Sequence, residues 1–270
     1  MPELPEVETT RAGIEPALVG QRILRLLVRE RRLRIAVPEA LEERLAGQTV
    51  RAVRRRGKFL LIEVERGAAI VHLGMSGSLR VLPAERPAGR HDHVDLCLED
   101  GRVLRYADPR RFGCWLWQPE GTVHPALAAL GPEPFDPGFD ASYLWRRGRG
   151  RRAAIKVLIM DPAVVVGVGN IYAQEALFGA GIRPDRPAGG LSMARCGRLV
   201  EAIRERLAHA IRRGGTTLRD FLAPDGQPGY FEQELFVYGR AGQPCRVCGR
   251  RLEGTRIGGR ATAWCPRCQR

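Results

Sequence analysis

Between residues 21 and 82 the apolar positions fall in short runs, RILRLLV, TVRAVRRR, FLLIEVE, AIVHLGM and SLRVL, separated by glycine and arginine. DHVDLCLED, GRVLRYAD and GCWLWQPE continue the near alternation, with turn residues such as Glu99, Asp100 and Gly101 between them. Alternation of period two over segments of this length predicts half-buried strands. About eight of them at short spacing predict an antiparallel sandwich. Ahead of them, residues 3–18 have helical spacing, with Val7, Ile14 and Leu18 on one face and Glu6 and Arg11 off it.

The stretch GPEPFDPGFD, residues 131–140, is rich in proline and glycine and breaks the pattern. Beyond it SYLWRRGRGRRAAIKVLIMD, GNIYAQEALFGAG and SMARCGRLVEAIRERLAHAIRRGG carry helical spacing and end near glycine or proline stops. The expected fold is α+β. An N-terminal β-sandwich with flanking helices (residues 1–132) precedes a helical domain (133–235) and a small C-terminal unit (236–270).

The 270 residues are 44% hydrophobic, enough for a substantial core, and contain no apolar run long enough to span a membrane. MPELPEVETT carries acids where an export signal would carry basic residues, which points to a cytoplasmic protein. A net charge of +14, from arginines spread along the whole chain, points to a folded body with a positive face and a nucleic-acid partner. Aromatics at 6% argue against a single-strand binder built on stacking. Of 44 basic residues only Lys58 and Lys156 are lysines. Lys58 follows RRRG, and unlike arginine it can lose a proton and act as a base. Lys156 receives no assignment.

Seven cysteines without an export signal argue against a disulfide framework. Cys97, Cys114 and Cys196 lie singly and are expected as small buried apolar residues. Cys245 and Cys248 form one CxxC knuckle and, sixteen residues on, Cys265 and Cys268 form another. That spacing predicts one structural Zn²⁺ in a closed four-thiolate shell, with Arg256 and Arg260 on the intervening hairpin.

Four further stretches carry possible chemistry. GVGNIYAQEA fails as a dinucleotide fingerprint, because Tyr172 replaces the third glycine; it leaves a glycine turn into a helix with Asn170 near its cap, suited to a phosphate or simply an ordinary capped helix. HDHVD would place His91, His93 and Asp95 on one strand face, as for a metal site, although phosphate contact or a structural role suits it better. ADPRRFG is either a turn with a core Phe112 or an arginine-flanked wedge of the kind that holds open a DNA stack. At the N-terminus Pro2 is small enough to allow removal of Met1. It would then present a secondary amine beside Glu3, a usable nucleophile because α-amines titrate near pH 8.

MPELPEVE, RRGKFL, HLGMSGSLR, HDHVDL, YADPRRFG, LGPEP, VVGVGNIYAQEALF, GGTTLRDF, VYGR, CRVCG and WCPRCQ occur in order along essentially the whole chain. Together they resemble the bacterial formamidopyrimidine-DNA glycosylases. The resemblance implies a helix–two-turn–helix motif in the helical domain and a bifunctional base-excision-repair enzyme. Such an enzyme removes 8-oxoguanine and formamidopyrimidines from duplex DNA and cleaves abasic sites by β,δ-elimination, in the cytoplasm at the nucleoid; with no interface signal in the sequence, a monomer is expected. It implies Pro2 as nucleophile, Glu3 as acid, Lys58 in proton transfer and Arg260 at the zinc-hairpin tip. It further implies DNA contacts at His91, Arg110, Arg151 and Asn170, with Met75, Arg110 and Phe112 filling the gap left by the flipped base. Arg151 sits in RRGRGRR, where a slip of one or two residues would name a neighbour. Residues 216–221 correspond to a loop that closes over the base. The sister endonuclease VIII, acting on oxidised pyrimidines, shares proline, glutamate, lysine and zinc hairpin, but Leu4 stands where it usually has glycine. A non-enzymatic damage-binding protein is the third possibility, and the intact Pro2, Glu3 and Lys58 speak against it.

Overall fold

A computed structural model describes residues 2–214 and 235–270. Its packing divides the chain into two compact units, one running from the N-terminus to Ala128, the other from Ala129 to Arg212 and including the described C-terminal residues.

The first unit opens with α1 (Leu4–Leu18) and holds β1 (Ile23–Val28), α2 (Leu41–Leu45), β2 (Ala52–Arg56), β3 (Phe59–Val64), β4 (Gly67–His72), β5 (Ser78–Pro83), β6 (Asp92–Leu98), β7 (Arg102–Ala107), β8 (Cys114–Pro119) and the short α3 (Pro125–Ala128). The eight strands form two antiparallel four-stranded sheets, ordered β1-β6-β7-β5 and β2-β3-β4-β8. Both sheets share one core with α1 and α2. Val7, Ile14 and Leu18 meet Leu41, Leu60, Ile62, Leu96, Leu104, Tyr106 and Trp115 in it. Alternation in FLLIEV is what makes β3 a half-buried strand, since Leu60, Ile62 and Val64 face inward and Phe59, Leu61 and Glu63 are partly exposed.

Glu6 departs from the pattern-based expectation, for it is fully buried. Its carboxylate accepts the Glu3 N–H at 2.8 Å, one bond of a capping box, so a residue that reads as surface is drawn under the helix start.

The second unit contains α4 (Ala141–Gly148), α5 (Ile155–Met160), α6 (Asn170–Gly179), α7 (Met193–Arg212) and the hairpin β9 (Glu253–Ile257) with β10 (Arg260–Trp264). Helix α6 is buried along nearly its whole length and packs on α7, α5 and β10. No helix among the described residues is long and apolar enough to cross a membrane.

Candidate nucleic-acid and catalytic site

Pro2 and Glu3 lie at the start of α1; both are buried, Glu3 to 2% exposure as the N-cap residue. The β2–β3 hairpin is tied to the same helix. Arg55 pairs with Glu8 at 2.9 Å, and Glu8 also holds Arg11 at 2.8 Å. Because Arg56 pairs with Phe59, Gly57 and Lys58 alone make the turn. Gly57 has φ 58° and Lys58 has no left-handed φ, as in a type II′ turn, where glycine is required first and a side chain fits second. Lys58 is thus the tip residue of a tight hairpin. His72, opposite Phe59 in the sheet and 4.8 Å from it ring to ring, accepts the Gly74 N–H on Nδ1 at 2.9 Å. Burial, reinforced by the charges of Lys58 and Arg34, brings its pKa to about 4, so the ring is neutral at pH 7.

Met75 and the pair Arg110 and Phe112 sit on two loops bolted together by Asp108. This wholly buried carboxylate accepts the Ser76 hydroxyl at 2.7 Å and the Tyr106 hydroxyl and the Gly113 N–H at 2.9 Å each. The loops touch so closely at Gly74 that a Cβ there would lie 2.4 Å from the Phe112 carbonyl carbon. Outside this clamp Met75 and Phe112 remain 37% and 42% exposed, and the Arg110 guanidinium lies 4.8 Å over the Phe112 ring. Phe112 is therefore an exposed aromatic ring and not a core residue.

HDHVD does not form the shared face that alternation suggests. His91 precedes the strand and is exposed, and the β6–β7 register shifts between Asp92 and Val94. His93 is buried, its Nε2 2.9 Å from the Asp108 carbonyl oxygen, while Asp95 receives a bidentate fork from Arg105 at 2.9 Å and Arg29 at 2.6 Å. Those cations hold the Asp95 carboxyl below its usual range against the cost of burial. With Asp95 so occupied and His91 turned away, the four cysteines are the only metal-ligating cluster among the described residues.

In the second unit the cap of α6 is Gly169, one residue earlier than the pattern indicates, and Asn170 is the first helical residue. Asn170 Nδ2 donates to the Ala261 carbonyl at 3.3 Å. One turn on, Gln174 accepts the Ala263 N–H at 2.7 Å and donates to the Ala261 carbonyl at 3.1 Å. Glu175, 1% exposed, accepts the N–H groups of Phe236, Val237 and Tyr238 at 2.9 Å each. Helix α6 thereby grips the hairpin and the segment leading to it. Lys156 supplies another tie, its buried Nζ donating to the Thr262 hydroxyl at 2.6 Å. Asp108, Gln174 and Glu175 were not singled out by sequence pattern, and Lys156 stood out only as one of two lysines, without a role. A polar pair, Gln174 and Glu175, inside the apolar run IYAQEALF was the available signal for two of them.

Ile257 pairs with Arg260 across Gly258 and Gly259, whose φ values of 58° and 73° make a type I′ turn. Arg260 therefore leaves the tip directly. With Arg151 it lines a cleft of about 330 Å³ whose other walls include Val157, Met160 and Ile257. Arg151 is exposed on the loop after α4. The thiols of Cys245, Cys248, Cys265 and Cys268 all lie within 4.8 Å of one another, with pairs at 3.4 and 4.0 Å. A tetrahedron with Zn–S bonds of about 2.3 Å has edges of roughly 3.8 Å, so the group fits one closed-shell zinc. Such a metal folds the hairpin and has no open position for catalysis. Residues 216–221, expected as the base-capping loop, lie outside the described residues.

Residues 1–115 match the formamidopyrimidine-DNA glycosylase N-terminal domain, residues 130–222 the H2TH domain of those enzymes, and residues 242–270 a zinc finger found in formamidopyrimidine-DNA glycosylases and isoleucyl-tRNA synthetases. The chain is 63% identical to a formamidopyrimidine-DNA glycosylase of Stutzerimonas stutzeri and 59% identical to one of Stenotrophomonas maltophilia, each covering 100% of both chains. The crystal structure of the Thermus thermophilus MutM (Fpg) protein is similar with a TM-score of 0.89 at 40% identity, covering 99% of this chain and 98% of that one. A Lactococcus lactis Fpg in complex with DNA containing an abasic site gives 0.91 at 34% identity, covering 99% of both.

Proposed function

The chain belongs to the formamidopyrimidine-DNA glycosylase family, and from that premise we propose that it excises oxidised purines from duplex DNA and cleaves the resulting abasic site. The observation that carries the reading is the first unit's combination of a buried Pro2–Glu3 start, a lone lysine on a hairpin tip and an exposed wedge held by Asp108.

With Met1 removed, the Pro2 nitrogen forms a bond to the sugar C1′ as the C1′–base bond breaks and the base leaves with that electron pair and a proton. Glu3 protonates the ring oxygen and opens the sugar, leaving an iminium between Pro2 and C1′. Loss of a C2′ proton then expels the 3′ phosphate, and a second elimination expels the 5′ phosphate. Lys58 carries protons in these steps, which its amine can do and a guanidinium cannot. Met75, Arg110 and Phe112 occupy the space the flipped nucleotide vacates, His91, Arg151 and Asn170 contact the DNA backbone, and Arg260 at the hairpin tip joins Pro2, Glu3 and Lys58 in the catalytic set. The four cysteines hold one zinc, which keeps the hairpin carrying Arg260 folded.

The test is incision of duplexes bearing 8-oxoguanine opposite cytosine or thymine glycol opposite adenine. Preferred cutting of the first is expected; preferred cutting of the second would reassign the chain to the pyrimidine-specific sister activity. The relatives are bacterial, and we place the enzyme in the cytoplasm as a monomer.

A further inference from the structure

Arg111 is the only non-glycine among the described residues with a left-handed backbone, φ 55°. Its N–H donates to the Asp108 carbonyl at 3.2 Å, closing a four-residue turn with Pro109 second. Proline favours that position and glycine favours the fourth, which Arg111 occupies. Left-handed φ is unfavourable for a residue with a Cβ and neutral for glycine, so this chain forgoes stability to keep a side chain here. The pairing of Arg111 Nη1 with Glu30 at 3.0 Å does not account for the choice, because both partners are partly exposed and such pairs contribute little. Glu30 is in any case already engaged, with Arg32 donating to both its oxygens.

The Arg111 side chain lines a polar cleft of about 450 Å³ with Arg29, Arg90, His91, Glu30 and Asp92. Arg90 and His91 are exposed, and their side chains make no hydrogen bond among the described residues. Since Glu30 meets only Nη1, the other edge of the Arg111 fork is left for a bidentate acceptor. We propose that Arg111 is a further phosphate-binding residue, retained in a strained conformation so that its guanidinium joins His91 in gripping the DNA backbone beside the wedge. The inference rests on the DNA-binding reading above and extends it by one contact.

Anisotropy titrations with a duplex carrying a tetrahydrofuran abasic analogue, over a range of salt concentrations, test it in the full-length zinc-loaded protein. Arg111→Gly relieves the backbone and deletes the fork, so it is expected to melt at or above the wild-type temperature yet bind about five- to tenfold more weakly. Its salt slope should fall by about 0.9, one phosphate contact. Arg111→Lys should keep most of the slope. Single-turnover excision at saturating enzyme should stay within twofold of wild type, because the reacting groups are untouched. Wild-type affinity and slope in Arg111→Gly would overturn the proposal, as would an equal loss in binding and in saturated rate, which would mean that Arg111 only shapes the wedge. Excision by the wild-type protein in the same series separates failure of this contact from failure of the functional reading.

Discussion

Replacing Asp108 by alanine is expected to be among the most damaging single changes in the first unit. The carboxylate is wholly buried and accepts from the Ser76 hydroxyl, the Tyr106 hydroxyl and the Gly113 N–H, with a longer bond from the Arg110 N–H at 3.3 Å. Alanine leaves at least two donors, at Tyr106 and Gly113, buried without partners. Each orphaned group costs about 1–3 kcal/mol, so the loss should total roughly 3–5 kcal/mol. For a unit of this size that is a fall in Tm on the order of 10 °C. Asp108→Asn keeps an acceptor toward Ser76 but turns an amide donor toward the Gly113 N–H; one mismatched contact predicts a smaller cost of about 1–2 kcal/mol. Thermal melts and urea titrations of both variants measure the ranking. A loss below about 1 kcal/mol for Asp108→Ala would refute the claim that this clamp holds the loops carrying Met75 and Phe112.

Lys58→Arg keeps the charge and is expected to keep DNA affinity while losing about 10²–10⁴-fold in 8-oxoguanine excision, measured in single turnovers. Cys248→Ser, or a chelator, should release the zinc, unfold the hairpin and weaken DNA binding, followed by metal content and by circular dichroism. His72 is neutral in the folded protein with its pKa lowered to about 4, so between about 4 and its ordinary value near 6.5 the unfolded chain binds the extra proton. Stability should therefore fall as pH drops through that window, by about 2–3 kcal/mol, and a His72→Asn variant should lack this component in urea titrations at pH 7, 5.5 and 4.5.

The sandwich, the helical second half and the zinc knuckles were legible because each follows from a local rule. Alternation gives the strands, helical spacing gives α1 and α7, and two CxxC pairs at fixed separation give the thiolate shell. The shortcomings arise where a tertiary partner overrides the pattern. Glu6 reads as surface until its carboxylate is needed at the Glu3 N–H, and His91, His93 and Asp95 read as one strand face until the register shift between Asp92 and Val94 breaks the alternation. Lys156 had no sequence rationale because Thr262, its acceptor, lies 106 residues away. Lys58 is the converse case. Its scarcity was visible in the sequence, but its tip position depends on a register that only the paired strands define.

Everything proposed for the reaction depends on attack of the Pro2 amine on the sugar. It is tested most directly by borohydride reduction during reaction with DNA containing 8-oxoguanine or an abasic site, using protein whose Met1 removal is confirmed by mass. A covalent protein–DNA adduct is expected that maps to Pro2 and disappears in Pro2→Gly held behind an uncleaved N-terminal extension. Absence of the adduct from the correctly processed wild-type protein, with strand cleavage intact, would contradict it.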